Sequence, residues 1–258
     1  MATEELPGWR EVHVWTACLE RNERQVLTLE ALLSPEERAR ANRVRRPNHR
    51  TWFIVGRALL RRILAYYIGI DPAGVELGYG PYGKPYLKSD FSGPALDFSA
   101  SHSGGIALYG VATNRRIGVD IEWVRPIPEL QAIATGRFCH SELSVLRSLT
   151  PPAQMHKFFE FWTRKESYLK ARGCGFAGSL LPLNRCLDQD VSAGVVDVVE
   201  SHGATTRWFL SQGRWHKDCR AAIAVEGPVQ RVLSFSWQET GPKVWEGGET
   251  VPRMVPVA

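Results

Sequence analysis

A chain of 258 residues, 44% hydrophobic and 23% charged, is long enough for one large domain or two small ones and too apolar for a disordered polymer. Five scattered cysteines (Cys18, Cys139, Cys174, Cys186, Cys219) without a C-x-x-C exclude a disulfide framework and a zinc knuckle, and no apolar run reaches membrane-spanning length. A formal charge of +5 favours an acidic partner, whether nucleic acid, phosphate-rich cofactor or acidic protein.

The first residues lack the basic patch and apolar run of a secretory signal, so the expectation is a cytoplasmic protein with reduced thiols. Ser34-Pro35-Glu36-Glu37 carries a capping box and predicts a helix over 34–44. A second helix is expected over 50–67, with Phe53, Gly56, Leu60, Ile63 and Tyr67 as its buried stripe and Arg50, Arg57 and Arg61 sharing a solvated face. Gly78 to Pro85 is glycine- and proline-punctuated, which places Lys84 in a loop.

Three strands should follow as a meander. Leu96, Phe98 and Ala100 alternate with Asp97, Ser99 and Ser101, 106–112 returns, and 117–122 runs in the first direction again. That arrangement would set His102, at the hairpin tip, about 10 Å from Glu122 at the end of the third strand. Short helices are expected over 129–138 and 141–148, a long one over 153–172, and strands over 195–199, 207–210 and 221–225. The fold expectation is α+β: two similar lobes at 1–115 and 116–228, each a small, mostly antiparallel sheet with packed helices, and a partly mobile tail at 229–258.

Two departures from pattern carry chemistry. In the long helix, Met155, Phe159, Trp162 and Leu169 form an apolar stripe interrupted by Glu166, whose buried carboxylate demands a cation, a hydrogen-bond network or a raised pKa. Lys170, one turn on, offers an i,i+4 ion pair as the plain alternative. In the strand, Ile117, Val119 and Ile121 occupy one face, so Asp120 and Glu122 project from the other, with Gly118 leaving room for something to approach. Three hard-oxygen ligands without histidine or cysteine suit Mg²⁺, or Mn²⁺ in its place, and Mg²⁺ serves phosphate chemistry.

The segments Gly83-Lys84-Pro85, Ser99-Ala100-Ser101-His102-Ser103-Gly104, Ile117-Gly118-Val119-Asp120-Ile121-Glu122 and Trp162-Thr163-Arg164-Lys165-Glu166-Ser167-Tyr168-Leu169-Lys170, in this order, resemble the 4′-phosphopantetheinyl transferases, specifically their larger, two-lobed class. The resemblance implies two lobes related by a pseudo-twofold duplication and a coenzyme A site in the cleft between them. It implies that Asp120, Glu122 and Glu166 hold the metal and that Arg50, Lys84, Ser101, His102, Lys165 and Lys170 grip the nucleotide and its phosphates. Glu166, Asp120 and Lys170 would carry the catalysis. The implied partners are coenzyme A and an acyl or peptidyl carrier protein of fatty acid, polyketide or peptide synthesis, met by a monomer without nucleic acid or membrane. Two other readings remain: a coenzyme A-dependent acyltransferase, which needs no acid triad, and a nucleic-acid-binding module built on Arg43, Arg45, Arg46, Arg50, Arg57, Arg61 and Arg62.

Overall fold

The first strand, β1 (Glu11–Cys18), holds six consecutive buried residues, so it shows no in-out alternation and is invisible to a search for period two. The computed structural model describes residues 6–88, 93–175, 179–187, 194–199, 203–216, 218–238 and 241–244. Helix α1 (Glu23–Glu30) starts at an Asn22 cap, and α2 (Pro35–Asn42) starts at Ser34. The expected capping box is present: Glu37 N–H donates to Ser34 Oγ (3.2 Å) and Ser34 N–H to Glu37 Oε2 (3.0 Å). Helix α3 (Pro47–Ile68) ends at left-handed Gly69. A small hairpin of β2 (Leu77–Tyr79) and β3 (Pro85–Leu87) precedes β4 (Leu96–Ser103) and β5 (Ile106–Thr113).

The second half contains β6 (Ile117–Trp123), α4 (Leu130–Arg137), α5 (His140–Arg147), α6 (Pro151–Arg172), α7 (Leu181–Leu187), β7 (Gly194–Val199), β8 (Thr205–His216), β9 (Cys219–Glu226), β10 (Arg231–Gln238) and β11 (Gly241–Val244). One sheet has the order β11-β10-β1-β5-β4 and the other β6-β9-β8-β7. The expected tail is therefore corrected in its first part: β10 pairs in parallel with β1 and β11 with β10, returning residues 231–238 and 241–244 to the first sheet. Residues 245–258 lie outside the described residues.

The expected meander is corrected as well. Both edges of β5 are occupied, by β1 and β4, so β6 cannot pair with β5 as a meander requires and pairs instead with β9. Its apolar face (Ile117, Val119, Ile121) packs on Val12, Val14, Leu108 and Ala112, forming a core between the sheets. Gly110 permits this approach, since a Cβ there would lie 2.6 Å from Val119 Cγ1.

The free edge of β4 lies beside β6, but the rungs are side chains. Ile117 N–H donates to Asp97 Oδ2 (3.3 Å), Val119 N–H to Ser99 Oγ (3.1 Å) and Trp123 N–H to Ser103 Oγ (3.0 Å). The alternating polar residues of β4 thus satisfy backbone donors that a neighbouring strand would otherwise take. The first sheet's other face packs on α3 through Trp15, Tyr109, Ile54 and Ile63. Within α3, Arg61 is not solvated as expected: it is 2% exposed and donates to Glu37 Oε2 (2.7 Å) and to the carbonyl of Val75 (2.9 Å).

Candidate functional site

The seam between β4 and β6 brings the chemistry together at one end. Ser101 breaks the rung pattern, because its hydroxyl donates to Asp120 Oδ1 (2.8 Å) instead of accepting from backbone. Lys170, from α6, donates to both Ser101 Oγ (2.8 Å) and Asp120 Oδ1 (2.6 Å). The ion pair of Lys170 is therefore with Asp120 across the seam. Glu122, one rung further, accepts from Ser103 Oγ (2.9 Å) and from Arg125 (2.9 Å).

Gly118 does not leave room for a ligand. A Cβ there would lie 1.9 Å from the Ser167 carbonyl oxygen and 2.3 Å from Ala171 N, so the glycine lets the backbone of α6 rest directly on β6. That contact places Glu166 beside the strand acids. Glu166 is 7% exposed, and its carboxyl is pushed up to about 7, first by burial and then by the charge of Asp120, with Glu122 adding to it and Lys170 opposing. Burial also raises Asp120, against the pull of Lys170, and its Oδ2 is buried without a hydrogen-bond partner.

Among the described residues no three acidic, histidine or cysteine side chains close around one point as an ion would require; Asp120 is turned to Lys170 and Glu122 to Arg125. The donor set nevertheless fits a divalent cation. An orphaned buried oxygen and a carboxyl whose ionisation is opposed by burial and by a neighbouring negative charge are both relieved when a hard cation enters.

Beside Ser101 and His102 lies a pocket of about 220 Å³, lined on its far wall by Arg40, Trp52, Phe53 and Arg57. Arg57 Nη1 is buried there with no hydrogen-bond partner. Sequence reading overlooked Arg40 and Trp52 and assigned Arg57, with Arg61, to the solvent; no local signal in the sequence distinguishes them from surface arginines. His102 is exposed, yet desolvation lowers its pKa below the usual imidazole value and the charge of Lys170 lowers it further, which favours the neutral ring.

Three expected site residues stand elsewhere. Lys84 is at the opposite end of the seam, where its ammonium binds Asp97 (2.9 Å) and the carbonyls of Ile117 (3.1 Å) and Ala171 (3.4 Å) beside a second pocket of about 490 Å³. Lys165 is 2% exposed and pairs with Glu142 (2.8 Å) and Asn184 inside the second lobe, since one helical step from Glu166 turns its side chain about 100° away. Arg50 pairs with Glu30 (2.7 Å) and Asn42 (3.2 Å).

Residues 116–224 match the model of the 4′-phosphopantetheinyl transferase superfamily, and residues 15–114 match that of the 4′-phosphopantetheinyl transferase N-terminal region. The 4′-phosphopantetheinyl transferase HetI of Nostoc is 37% identical over 91% of this chain and 92% of its own length. The transferase Sfp of Bacillus subtilis is 29% identical over 71% of this chain and 77% of its own. The human L-aminoadipate-semialdehyde dehydrogenase-phosphopantetheinyl transferase is 28% identical over 69% and 59%. Matched along both sheets and along the helix that presents Glu166 and Lys170, the chain belongs to the 4′-phosphopantetheinyl transferase superfamily, in its larger Sfp-like class.

Proposed function

We propose that this chain moves the 4′-phosphopantetheine arm of coenzyme A onto a serine hydroxyl of an acyl or peptidyl carrier protein, using Mg²⁺ held by Asp120, Glu122 and Glu166. The observation that supports it most is the knot of Ser101, Asp120 and Lys170 beside a buried Glu166. Bound there, the metal supplies charge neutralisation at the coenzyme A diphosphate.

The serine oxygen forms the new bond to phosphorus, and the bond from phosphorus to the bridging oxygen of the leaving 3′,5′-ADP breaks. Lys170 keeps a positive charge beside the oxygens on which negative charge grows. Neutral His102 offers a hydrogen bond and not a charge. Glu166, freed of its own proton when the metal is bound, takes the serine proton. The pocket of Arg40, Trp52 and Arg57 receives the nucleotide end.

Residues 38–50 hold six arginines and no acidic residue, and the exposed Arg43, Arg45 and Arg46 stand between pocket-lining Arg40 and Trp52 in the chain. Such a rim suits an acidic carrier, whose encounter it would accelerate. One chain carries both lobes, so a monomer is sufficient. No helix among the described residues is long and apolar enough to cross a membrane.

Mass measurement of apo-carriers incubated with the protein, coenzyme A and Mg²⁺ tests the reading: one arm added to a carrier is expected, and no mass change on any carrier would refute it. In the same assay the carrier KM should rise with salt while the coenzyme A KM moves less; equal movement would remove the rim from the account.

Metal binding should depend on pH in a defined direction. Below about pH 7 Glu166 holds a proton that the ion must displace, so affinity for Mg²⁺ weakens as pH falls and levels off above that value. Calorimetry at pH 6 and 8, in buffers of different ionisation heat, should show weaker binding and proton release at pH 6. Affinity independent of pH would place Glu166 outside the ligand set.

A further inference from the structure

Helix α6 carries the two site residues Glu166 and Lys170, yet within the site neither fixes how the helix is rotated. The Glu166 carboxylate is not tied down by the side chains that hold Asp120 and Glu122, and Lys170 is a long, flexible arm. The rotation is set from behind. On one flank Gly118 meets the α6 backbone at Ser167 and Ala171. From the other flank and the back of the helix Glu142, from the first turn of α5, is 0% exposed and binds the two residues just before Glu166: Oε1 accepts from Arg164 Nη2 (2.6 Å) and Oε2 from Lys165 Nζ (2.8 Å).

We infer that Glu142 is a positioning residue for the transfer reaction: with Arg164 and Lys165 it forms a buried ion clamp that holds α6 at the rotation that aims Glu166 at Asp120 and Glu122.

Three features support this inference. The clamp is tied to the fold at several points, because Glu142 Oε2 also accepts from Cys139 N–H (2.9 Å), Lys165 donates to Asn184 of α7, and Asn184 donates to the Arg137 carbonyl at the end of α4 (3.2 Å). Next, the angular spacing is right: at 100° per residue, Lys165 and Ser167 flank Glu166 on opposite sides and Arg164 lies about 160° round, behind it, so the sheet holds one flank and the clamp holds the other flank and the back while Glu166 faces the seam. Finally, the leverage is large. A carboxylate about 6 Å from the helix axis moves roughly 2 Å for a 20° rotation, and displacements of about 1 Å can cost ~100-fold in rate.

A wholly structural role is the competing explanation, and buried ion clusters are poor stabilisers compared with apolar side chains of similar volume. That difference supplies the test, which rests on the proposed function only for its kinetic arm. The triple variant E142L/R164M/K165M replaces the clamp with apolar groups and should retain a cooperative melt. It should bind coenzyme A within about threefold of wild type, because none of the three residues lines the nucleotide pocket. Its kcat should fall at least about 30-fold and its Mg²⁺ affinity, measured calorimetrically without substrates, at least about tenfold.

Glu142→Asp, which keeps the charge but shortens the reach, should fall between triple variant and wild type in both readouts. A folded triple variant with wild-type kcat and Mg²⁺ affinity would overturn the inference. So would loss of its cooperative melt, which would make the cluster a source of stability and not of aim. If wild type transferred nothing to any carrier, the Mg²⁺ measurement would still decide on the clamp while the functional reading failed separately.

Discussion

Asp120→Ala and Glu166→Gln should each lower kcat with a carrier protein by about 10³-fold or more while leaving the protein folded. The loss follows from the geometry, since Asp120 is the meeting point of Ser101 and Lys170, and Glu166 comes from the helix side close enough to feel the charges of Asp120 and Glu122. Removing either leaves one fewer oxygen for the cation. With Glu166→Gln, a group able to take the serine proton is lost as well.

Stability should move the other way. The Glu166 carboxyl is raised to about 7 in the folded chain from a usual value of 4.5, so folding penalises its ionised form. Above pH 7 that penalty is present in full; it fades as pH falls through 7 towards 4.5, where both states are protonated. In chelator, Glu166→Gln should therefore melt above wild type at pH 8, with the gap closing by pH 5. Unchanged transfer in saturating Mg²⁺ would show the site to be misassigned, and a lower melting temperature at pH 8 would show that Glu166 is not strained.

Gly118→Ala should damage fold and catalysis together. The added carbon would sit 1.9 Å from a backbone oxygen of α6 and 2.3 Å from a backbone nitrogen, neither of which can swing aside as a flexible side chain would. The helix must lift from β6, at a cost of about 3 kcal/mol or more for overpacking a closed interface. Lifting α6 also carries Glu166 and Lys170 away from Asp120, so a folded remainder should show kcat reduced by about 100-fold or more. Gly136→Ala in α4, which meets no atom within 4 Å, is the control and should be neutral or slightly stabilising. Equal behaviour of the two alanine variants would refute the close-contact account.

These two predictions rest on features of unequal visibility in the sequence. The inward carboxylate at Glu166 was legible because an amphipathic stripe makes any polar intruder conspicuous, and the capping box at Ser34 was legible because it is local. The strand acids were found for the same reason, by alternation. Strand β1 was missed because burial on both faces erases alternation, and β10 because its partner is at the other end of the chain. Local pattern holds no record of which edge of a sheet is already filled, so β6 was drawn into a meander it cannot join. His102 and Glu122 still converge, since β6 lies directly alongside β4.

Gly118 and Lys165 show the limit of reading side chains without a helix to place them against. A glycine between two acids invites a ligand, and its true neighbour is a helix backbone. A lysine beside a site glutamate suggests phosphate, but one step around the helix it faces the clamp.

The parallel pairing of β10 with β1 bears on how the protein is made. As the chain leaves the ribosome, β1 has β5 for one neighbour after about 113 residues, but its other edge stays unpaired until residues 231–238 emerge. Through that interval Trp15 lacks the Phe235 ring on which it finally stacks at 4.5 Å. The first sheet to begin folding is thus the last to be finished, and a chain halted after β9 would carry an open, apolar strand edge of the kind that chaperones and aggregates both seize.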